Sequence, residues 1–340
     1  MIGIPGNPRH AIRSRVLIGV TVVAIVLACA PASTAQAVPR CNGSAALCDR
    51  PLGTVAFATT HNSMASEANN FRGPNQARSI PAQLRHGIRG MQLDVYAGTA
   101  KGGSVYTDFD EPYSKLPSDL SPALAAAGRA AHRRLGAPRP GTPTEVYMCH
   151  GFCELGAIKF STVARQIQRF LDEHPREVLV IVFEDRLATD RIADALRTGG
   201  LAPMLLPVEV GQPLPTLGAM IASGQRLFAT LENGDGGPTL RNAFEGLVEE
   251  TPFTFVTPRA LRAPASCAAN RGDDAAPVFQ FNHWLTPPHR ATAGLVNAKS
   301  FLGARVAACE VARGRGPTLV AVDFAERGAL LSIVDDLNGR

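Results

Sequence analysis

The sequence predicts an α/β fold in which eight parallel strands alternate with helices, as in a (β/α)₈ barrel. Eight strand-like segments lie along the chain, and most are separated by segments of helical periodicity. Residues 177–183 form an unbroken apolar run, which is typical of a parallel strand buried on both faces. No Gly-x-Gly-x-x-Gly follows the first strand, which disfavours the alternative of a doubly wound open sheet.

The elements are predicted in order from apolar runs, helical periodicity and Gly/Pro punctuation. The eight predicted strands are 54–58, 88–96, 144–149, 177–183, 226–231, 253–257, 277–281 and 318–324. The predicted helices are 81–86, 161–174, 190–197, 216–223, 239–248, 294–312 and 330–337. Residues 97–143 form a long inserted segment of loops with one Ala-rich helix near 121–135, and a specificity loop and a tolerated surface insertion are both open interpretations.

The first 37 residues have the pattern of a secretory signal peptide, which leaves 38–340 as one domain. Basic residues precede the apolar run 16–30, and Ala35-Gln36-Ala37 supplies a small-x-small cleavage site. We expect a secreted, soluble protein rather than a lipid anchor at Cys29, because the bulky Leu27 disfavours lipoprotein processing. Three arginines in this segment account for most of the formal charge of +5. Nucleic acid is therefore not expected as a partner.

Six cysteines remain after Cys29, which allows fifteen pairings. Export to an oxidising compartment favours disulfides, and no Cys-x-x-Cys pair indicates a metal site. Proximity in the sequence favours Cys41–Cys48 and Cys149–Cys153, which leaves Cys267–Cys309.

Two histidines stand out because each ends a predicted strand, where parallel barrels place their active sites. His61 follows the first strand and His150 follows the third. Two imidazoles facing one substrate suit acid–base catalysis near neutral pH.

Three oxygen donors lie at the same strand ends: Asn62, Asp94 and Glu184. A carboxamide and two carboxylates suit a divalent cation, and we expect Ca²⁺ rather than Mg²⁺. The alternative, that the carboxylates orient arginines such as Arg89, is open.

The ordered motifs resemble the phosphatidylinositol-specific phospholipase C X-domain family, in particular its secreted bacterial members. The matching segments are Thr60-His61-Asn62-Ser63, the run 83–89 leading to Gln92-Leu93-Asp94, His150-Gly151, and the run 175–178 leading to Phe183-Glu184-Asp185. The resemblance implies a distorted TIM barrel. It also implies that His61 deprotonates a hydroxyl that attacks phosphorus, and that His150 protonates the leaving alcohol.

The resemblance also bears on the cation. Metal-free relatives carry an arginine two residues after the strand aspartate, where this chain has Tyr96. Metal-dependent relatives have ligands matching Asn62, Asp94 and Glu184, and a glutamate where this chain has Gln92. A neutral Gln92 lowers the negative charge of the site and with it the expected cation affinity.

Two further strand ends carry candidate residues. Asp323 ends the eighth strand; by the family analogy it orients a catalytic imidazole, for which His61 is the expected partner, and a salt bridge on the rim is the alternative. Trp284, the only tryptophan, follows the seventh strand and is predicted either to contact a headgroup or lipid surface or to plug the core.

The sequence therefore predicts a monomeric, secreted phosphodiesterase that cleaves a phospholipid headgroup and touches a membrane surface transiently. A glycerophosphodiesterase-like or sphingomyelinase D-like enzyme is the alternative, although such enzymes show Glu-x-Asp where this chain has Gln92-Leu93-Asp94. A catalytically weak binding protein on the same barrel is the third possibility.

Overall fold

The structure is a computed structural model that describes Gly19 and residues 40–109, 111, 130, 132–139 and 141–340. Pro39–Arg340 form one compact unit. The predicted signal peptide, Cys29, and most of the helix expected at 121–135 lie outside the described residues, so these expectations stay predictions. No helix among the described residues is long and apolar enough to cross a membrane.

A curved parallel sheet forms the barrel. The strands are β1 (Phe57–Thr60), β2 (Gly90–Lys101), β3 (Ser104–Thr107), β4 (Glu145–His150), β5 (Phe152–Lys159), β6 (Leu179–Arg186), β7 (Leu227–Leu231), β8 (Val248–Glu250), β9 (Val278–His283) and β10 (Leu319–Val322). Parallel ladders run β7–β6–β2–β1–β10–β9–β8. No ladder joins β7 to β8 among the described residues. The fold is therefore a distorted TIM barrel, as predicted.

Helices cover the outside of this sheet. They are α1 (Ile80–Arg85), α2 (Phe160–Glu173), α3 (Thr189–Thr198), α4 (Leu217–Ser223), α5 (Pro258–Arg262), α6 (Arg290–Val296), α7 (Lys299–Arg313) and α8 (Leu330–Asn338) in the described residues. Along β6, Leu179, Ile181 and Phe183 belong to the apolar cluster that includes α2 and α3 side chains. Val180 and Val182 alternate with them and belong to a second cluster with side chains of β1, β7 and β10. Strand periodicity places Glu184 and Arg186 on this second face, at the carboxyl end.

The third predicted strand is not a barrel strand. β4 pairs antiparallel with β2, and β5 pairs antiparallel with β4, so the two form a hairpin that extends from the barrel edge. β2 is long enough, at 12 residues, to pair with both the barrel strand β6 and this hairpin. The prediction of an eight-membered parallel ring was wrong at this position, because an apolar strand does not reveal whether its neighbour runs parallel.

Two predictions near the sixth strand were also wrong. The strand lies at Val248–Glu250 rather than 253–257, and residues 239–247 form turns and bends rather than a helix. The long helix expected at 294–312 is divided into α6 and α7. Short segments without a sustained period give weak signals, and tertiary contacts decide them.

All three disulfides form as predicted: Cys41–Cys48, Cys149–Cys153 and Cys267–Cys309. The Cys149–Cys153 bond closes the tip of the β4–β5 hairpin around His150. Both cysteines are buried in a small cluster with Tyr96 and Tyr147. The disulfide therefore holds the two strands of the hairpin tip together, and its packing against Tyr96 positions the tip beside β2.

Candidate active site

A cavity of about 350 Å³ opens at the carboxyl ends of the barrel strands. The lining residues come from most strand ends and the loops that follow them: His61, Asn62, Gln92, Asp94, Glu184, Arg186, Glu232, Glu250, Phe253, Thr254, Arg271 and Trp284. An α/β barrel places its reactive groups at this end. Three of the predicted strand ends, those that carry His61, Asp94 and Glu184, therefore line one cavity, and His150 contacts two of its lining residues, Asn62 and Asp94.

His61 is held from several sides. Its Nδ1 lies 2.9 Å from Oδ1 of Asp323, and Asn75 Nδ2 donates to the same oxygen at 3.0 Å. The side chain of Gln76 donates to the backbone carbonyls of His61 and Val322, at 2.8 and 3.0 Å. With Asp323 on Nδ1, the hydrogen bond favours the tautomer that leaves Nε2 unprotonated.

Trp284 covers the other side of this imidazole. The rings of Trp284 and His61 stack with centroids 3.7 Å apart and planes 8° from parallel. Trp284 is buried, and Phe253 stacks beyond it at 6.4 Å. The tryptophan thus orients His61.

The second histidine has a separate carboxylate. His150 Nδ1 lies 2.9 Å from Oδ2 of Asp94, and the Asp94 side chain is buried on β2. Burial alone would lower the pKa of His150, but the hydrogen bond and charge of Asp94, with the charges of Glu184 and Asp323, raise it above its ordinary value. Burial and the nearby Glu184 raise the pKa of Asp94, against the opposing effect of His150.

Asn62 links the two histidines. It follows His61 in the chain, and its Nδ2 lies 3.4 Å from Nε2 of His150. Its φ of 45° is left-handed, a conformation that asparagine adopts more readily than most residues. The chain therefore turns sharply after β1 and places this buried carboxamide against His150.

β1 and β2 approach each other closely beneath these residues. Gly90, the first residue of β2, contacts Thr59, and a Cβ at position 90 would lie 2.0 Å from Thr59 Oγ1. Only glycine permits this spacing. The approach brings the strand that carries Asp94 next to the strand that leads into His61.

Glu184 is paired with an arginine. Arg186 donates from Nε to Glu184 Oε1 at 2.9 Å and from Nη2 to the same oxygen. Although burial favours its neutral form, the charge and hydrogen bonds of Arg186 hold the pKa of Glu184 below its usual range. Arg89, by contrast, lies outside the barrel, where it pairs with Glu177 and covers the Phe170 ring.

The residues expected to bind a divalent cation are occupied by protein partners. Asn62 and Asp94 contact His150, and Glu184 binds Arg186. No group of three or more His, Cys, Asp or Glu side chains among the described residues is arranged to hold a metal ion. The side chains as arranged do not fit a divalent cation. The expectation of Ca²⁺ stays a prediction, and no step proposed below depends on it.

Gln92 lies at the position where a metal-binding glutamate was expected from the resemblance. Its Nε2 donates to Asn282 Oδ1 at 3.4 Å, and its Oε1 is buried without a hydrogen-bond partner in the described residues. A neutral acceptor in this position is available to a substrate hydroxyl.

Four charged residues of the cavity were missed by the sequence analysis: Arg186, Glu232, Glu250 and Arg271. Arg271 donates from Nη1 to Glu232 at 2.8 Å and from Nε to Glu250 at 2.5 Å. Burial, with Glu184 and Glu250 nearby, raises the pKa of Glu232 to about 8 despite Arg271. Glu232 directly follows β7, so the strand-end rule could have found it. Glu250 was hidden by the misplaced sixth strand, and Arg271 lies in an irregular segment that gives no signal.

His283 is a structural histidine. It is fully buried, with Nε2 at 3.0 Å from the Val296 carbonyl and Nδ1 at 3.2 Å from Nη1 of Arg305. Burial and the charge of Arg305 lower its pKa to about 3, so the imidazole stays neutral. Its role is to join β9 to α6 and α7.

The comparisons with known proteins identify the family of the chain. The family model for the phosphatidylinositol-specific phospholipase C X domain matches residues 48–207, and a related model, PI-PLC X 1, matches residues 133–338. Because the second match covers more than half of the chain, the chain belongs to this phospholipase C X-domain family. A relative from Arthroderma benhamiae, PI-PLC X domain-containing protein 1, is 26% identical over 325 residues, covering 88% of this chain and 89% of that protein.

Solved structures of bacterial enzymes show a distant likeness. The phosphatidylinositol-specific phospholipase C from Listeria monocytogenes is 13% identical, with a TM-score of 0.47 over 86% of this chain and 94% of that one. A mutant of the corresponding Staphylococcus aureus enzyme is 10% identical, with a TM-score of 0.46 over 86% of this chain and 93% of that one.

Proposed function

We propose that this protein is a phosphodiesterase that cleaves the headgroup of a phosphatidylinositol-like phospholipid by acid–base catalysis. The observation that carries the proposal is the pair of carboxylate-bound histidines, His61 with Asp323 and His150 with Asp94. His61, Asn62 and Asp94 line one cavity, and His150 contacts both Asn62 and Asp94. Family membership supports the substrate class.

His61 is the base in the first step. Its unprotonated Nε2 accepts the proton of a substrate hydroxyl adjacent to the phosphodiester, and the resulting oxyanion attacks phosphorus. Asp323 stabilises the imidazolium that forms. Because nucleophile and phosphorus belong to one molecule, the reaction gains the large effective molarity of an intramolecular attack.

His150 is the acid in the same step. Its raised pKa keeps the imidazole protonated to a higher pH than an ordinary histidine. The proton on Nε2 passes to the oxygen of the leaving diacylglycerol as the phosphorus–oxygen bond breaks. The product is a cyclic phosphodiester of the headgroup. In a second step water opens the ring, His150 accepting a proton from water and His61 returning one to the ring oxygen.

The direct test is phosphorus NMR of the reaction with phosphatidylinositol in mixed micelles. A cyclic phosphate that appears first and is then hydrolysed is the expected result. Direct formation of a phosphatidate, or of a monoester without a cyclic intermediate, would contradict the mechanism. A panel with glycerophosphodiesters and sphingomyelin tests the alternative enzymes. Specific headgroup binding without turnover of any substrate would support the binding-protein alternative instead.

A membrane-surface contact accompanies the proposed substrate. Phe253 lines the cavity, and Val256 follows on the same loop and is 71% exposed. Apolar side chains beside the cavity mouth suit a lipid interface. Val256→Asp should weaken binding to phosphatidylinositol-containing vesicles and leave cleavage of a water-soluble substrate unchanged. Equal vesicle binding would remove this loop from the contact.

Export completes the proposal. The amino-terminal pattern and the three disulfides support secretion of a processed chain, which we propose is monomeric. Amino-terminal sequencing of the protein from a culture medium should place its start near residue 38, and light scattering should give the mass of one chain.

A further inference from the structure

The cavity has two arginines among its described lining residues, and they differ in how they are bound. Arg271 lies between Glu232 and Glu250, and its guanidinium covers the Phe244 ring at 4.0 Å. Two carboxylates and an aromatic face hold it in place. Arg271 therefore stabilises the wall of the cavity through these contacts.

Arg186 is held by fewer groups. Its Nε and Nη2 donate to one oxygen of Glu184, and it shares a hydrogen bond with the hydroxyl of Tyr96. A guanidinium has five N–H donors, so these three hydrogen bonds leave two donors for another acceptor. The side chain lines the cavity and is 24% exposed. Arg186 can therefore bind an anion without losing Glu184.

The sheet register explains why an arginine lies here. Asp94 is paired with Glu184 across the β2–β6 ladder, and Tyr96 is paired with Arg186. Paired residues on neighbouring parallel strands project to the same side of the sheet. A positive charge two residues beyond Asp94 is thus absent from β2 but present at the register-matched position of β6.

We propose that Arg186 binds the substrate phosphate and supplies the positive charge that stabilises the transition state, so that the enzyme needs no divalent cation. The inference rests on the function proposed above. Arg186 pairs with Glu184, the carboxylate that a divalent cation would need as a ligand. The positive charge of Arg186 would also repel a divalent cation placed beside it. Its planar fork of donors matches two phosphate oxygens, and charge develops on these oxygens as the hydroxyl attacks.

The first experiment measures turnover of phosphatidylinositol with EDTA and with added Ca²⁺. The wild type should keep its activity within twofold in both, and Arg186→Gln should lower kcat/KM by about 10²–10³-fold, as for removal of a transition-state donor. Arg186→Lys keeps the charge and should recover part of the loss. The matched control is Arg197→Gln on the next helix, whose side chain is 69% exposed and which should behave as wild type. Loss of wild-type activity in EDTA with recovery in Ca²⁺ would overturn the proposal.

The second experiment measures binding and does not depend on turnover. Calorimetry in EDTA with inositol 1-phosphate should show binding to the wild type and to Arg197→Gln, and at least tenfold weaker binding to Arg186→Gln. Circular dichroism checks that each variant is folded. Equal binding by wild type and Arg186→Gln would contradict the role of Arg186. Arg186-dependent binding without turnover of any lipid would reject the proposed activity and keep the phosphate site.

Discussion

The two histidine–aspartate pairs are alike in chemistry and different in construction. His61 and Asp323 both follow barrel strands, and stacked Trp284 with the Gln76 side chain leaves His61 19% exposed. His150 lies at the tip of a hairpin outside the parallel ring, its side chain is 41% exposed, and only its carboxylate partner belongs to the barrel.

The site therefore has two halves: one, around His61, is held rigidly by barrel strands, and the other, around His150, is carried by the hairpin. A residue at the end of a strand inside the parallel sheet is positioned by neighbouring strands on both sides, whereas a residue on a hairpin is positioned by the few contacts of that hairpin. The base of the proposed reaction is therefore fixed by the barrel. The acid depends on Asp94, Asn62 and the Cys149–Cys153 bond.

The largest expected effects come from removing either imidazole. His61→Ala and His150→Ala should each lower kcat by about 10²–10⁴-fold on phosphatidylinositol, since general acid–base groups contribute this much. A substrate with a nitrophenol leaving group needs no general acid, so it should restore the kcat of His150→Ala and not that of His61→Ala. Recovery of both variants, or of neither, would contradict the division of roles.

The two aspartates should respond differently to pH. Asp323→Asn should lower kcat on the order of 10²-fold or more at every pH, because the carboxylate holds the tautomer and stabilises the imidazolium. Asp94→Asn removes the charge that raises the pKa of His150, so the alkaline limb of the kcat/KM profile should move to lower pH. If the alkaline limb does not move, a group other than His150 determines its position.

The same raised pKa has a consequence for stability. A histidine whose pKa is raised in the folded state contributes its full stabilisation to that state at pH values below its unfolded-state pKa. This contribution is lost as the pH rises through the folded-state pKa. The stability that wild type gains over Asp94→Asn should therefore be larger at pH 5 than at pH 9 in urea unfolding. A difference that does not change with pH would indicate that His150 is neutral throughout.

The hairpin disulfide should matter for activity as well as stability. Cys149→Ser/Cys153→Ser should lower kcat by about tenfold to hundredfold, because a small misplacement of a catalytic group is costly. Cys41→Ser/Cys48→Ser is the matched control, since each loss removes a short loop constraint worth about 2 kcal/mol. The control should lose similar stability and keep its kcat. Equal activity of both double variants would show that the hairpin contacts alone position His150.

The smallest expected effect concerns the stacked tryptophan. Trp284→Ala should lower kcat by a few-fold to tenfold, because an aromatic pair contributes about 0.5–1.5 kcal/mol. Trp284→Phe should retain most of the activity. If Trp284→Ala raised KM alone, the ring would be a substrate contact rather than a support for His61.

The strand-end rule found most of this site because its signal is local. His61, Asp94, His150, Glu184 and Asp323 each follow an apolar run, and each lies at the cavity or contacts a residue that lines it. The rule needs strand positions and strands that all run in the same direction. β4 runs antiparallel to β2, so His150 was found although its strand does not meet the second condition. The rule failed for Glu250, where the strand itself was misplaced.

Strand direction and partner choice have no comparable local signal. The segment 144–149 reads as an apolar strand whether it pairs parallel or antiparallel, so the hairpin that carries His150 could not be distinguished from a barrel strand. Alternation along β6 places Glu184 and Arg186 on the same face, but it does not show that Glu184 pairs with this arginine rather than with a cation.

The sequence by itself determined the α/β barrel class, the three disulfides and the identity of the polar strand ends, because hydrophobic alternation, apolar runs and cysteine spacing are encoded over short stretches. Only the tertiary structure decided the partners of those polar groups. Register across β2 and β6 places Arg186 beside Tyr96. The fold also brings Trp284 and Arg271 to the cavity, and Asn75 to Asp323, from irregular segments. Contacts between residues distant in sequence arise from packing of the whole sheet, which no local pattern contains.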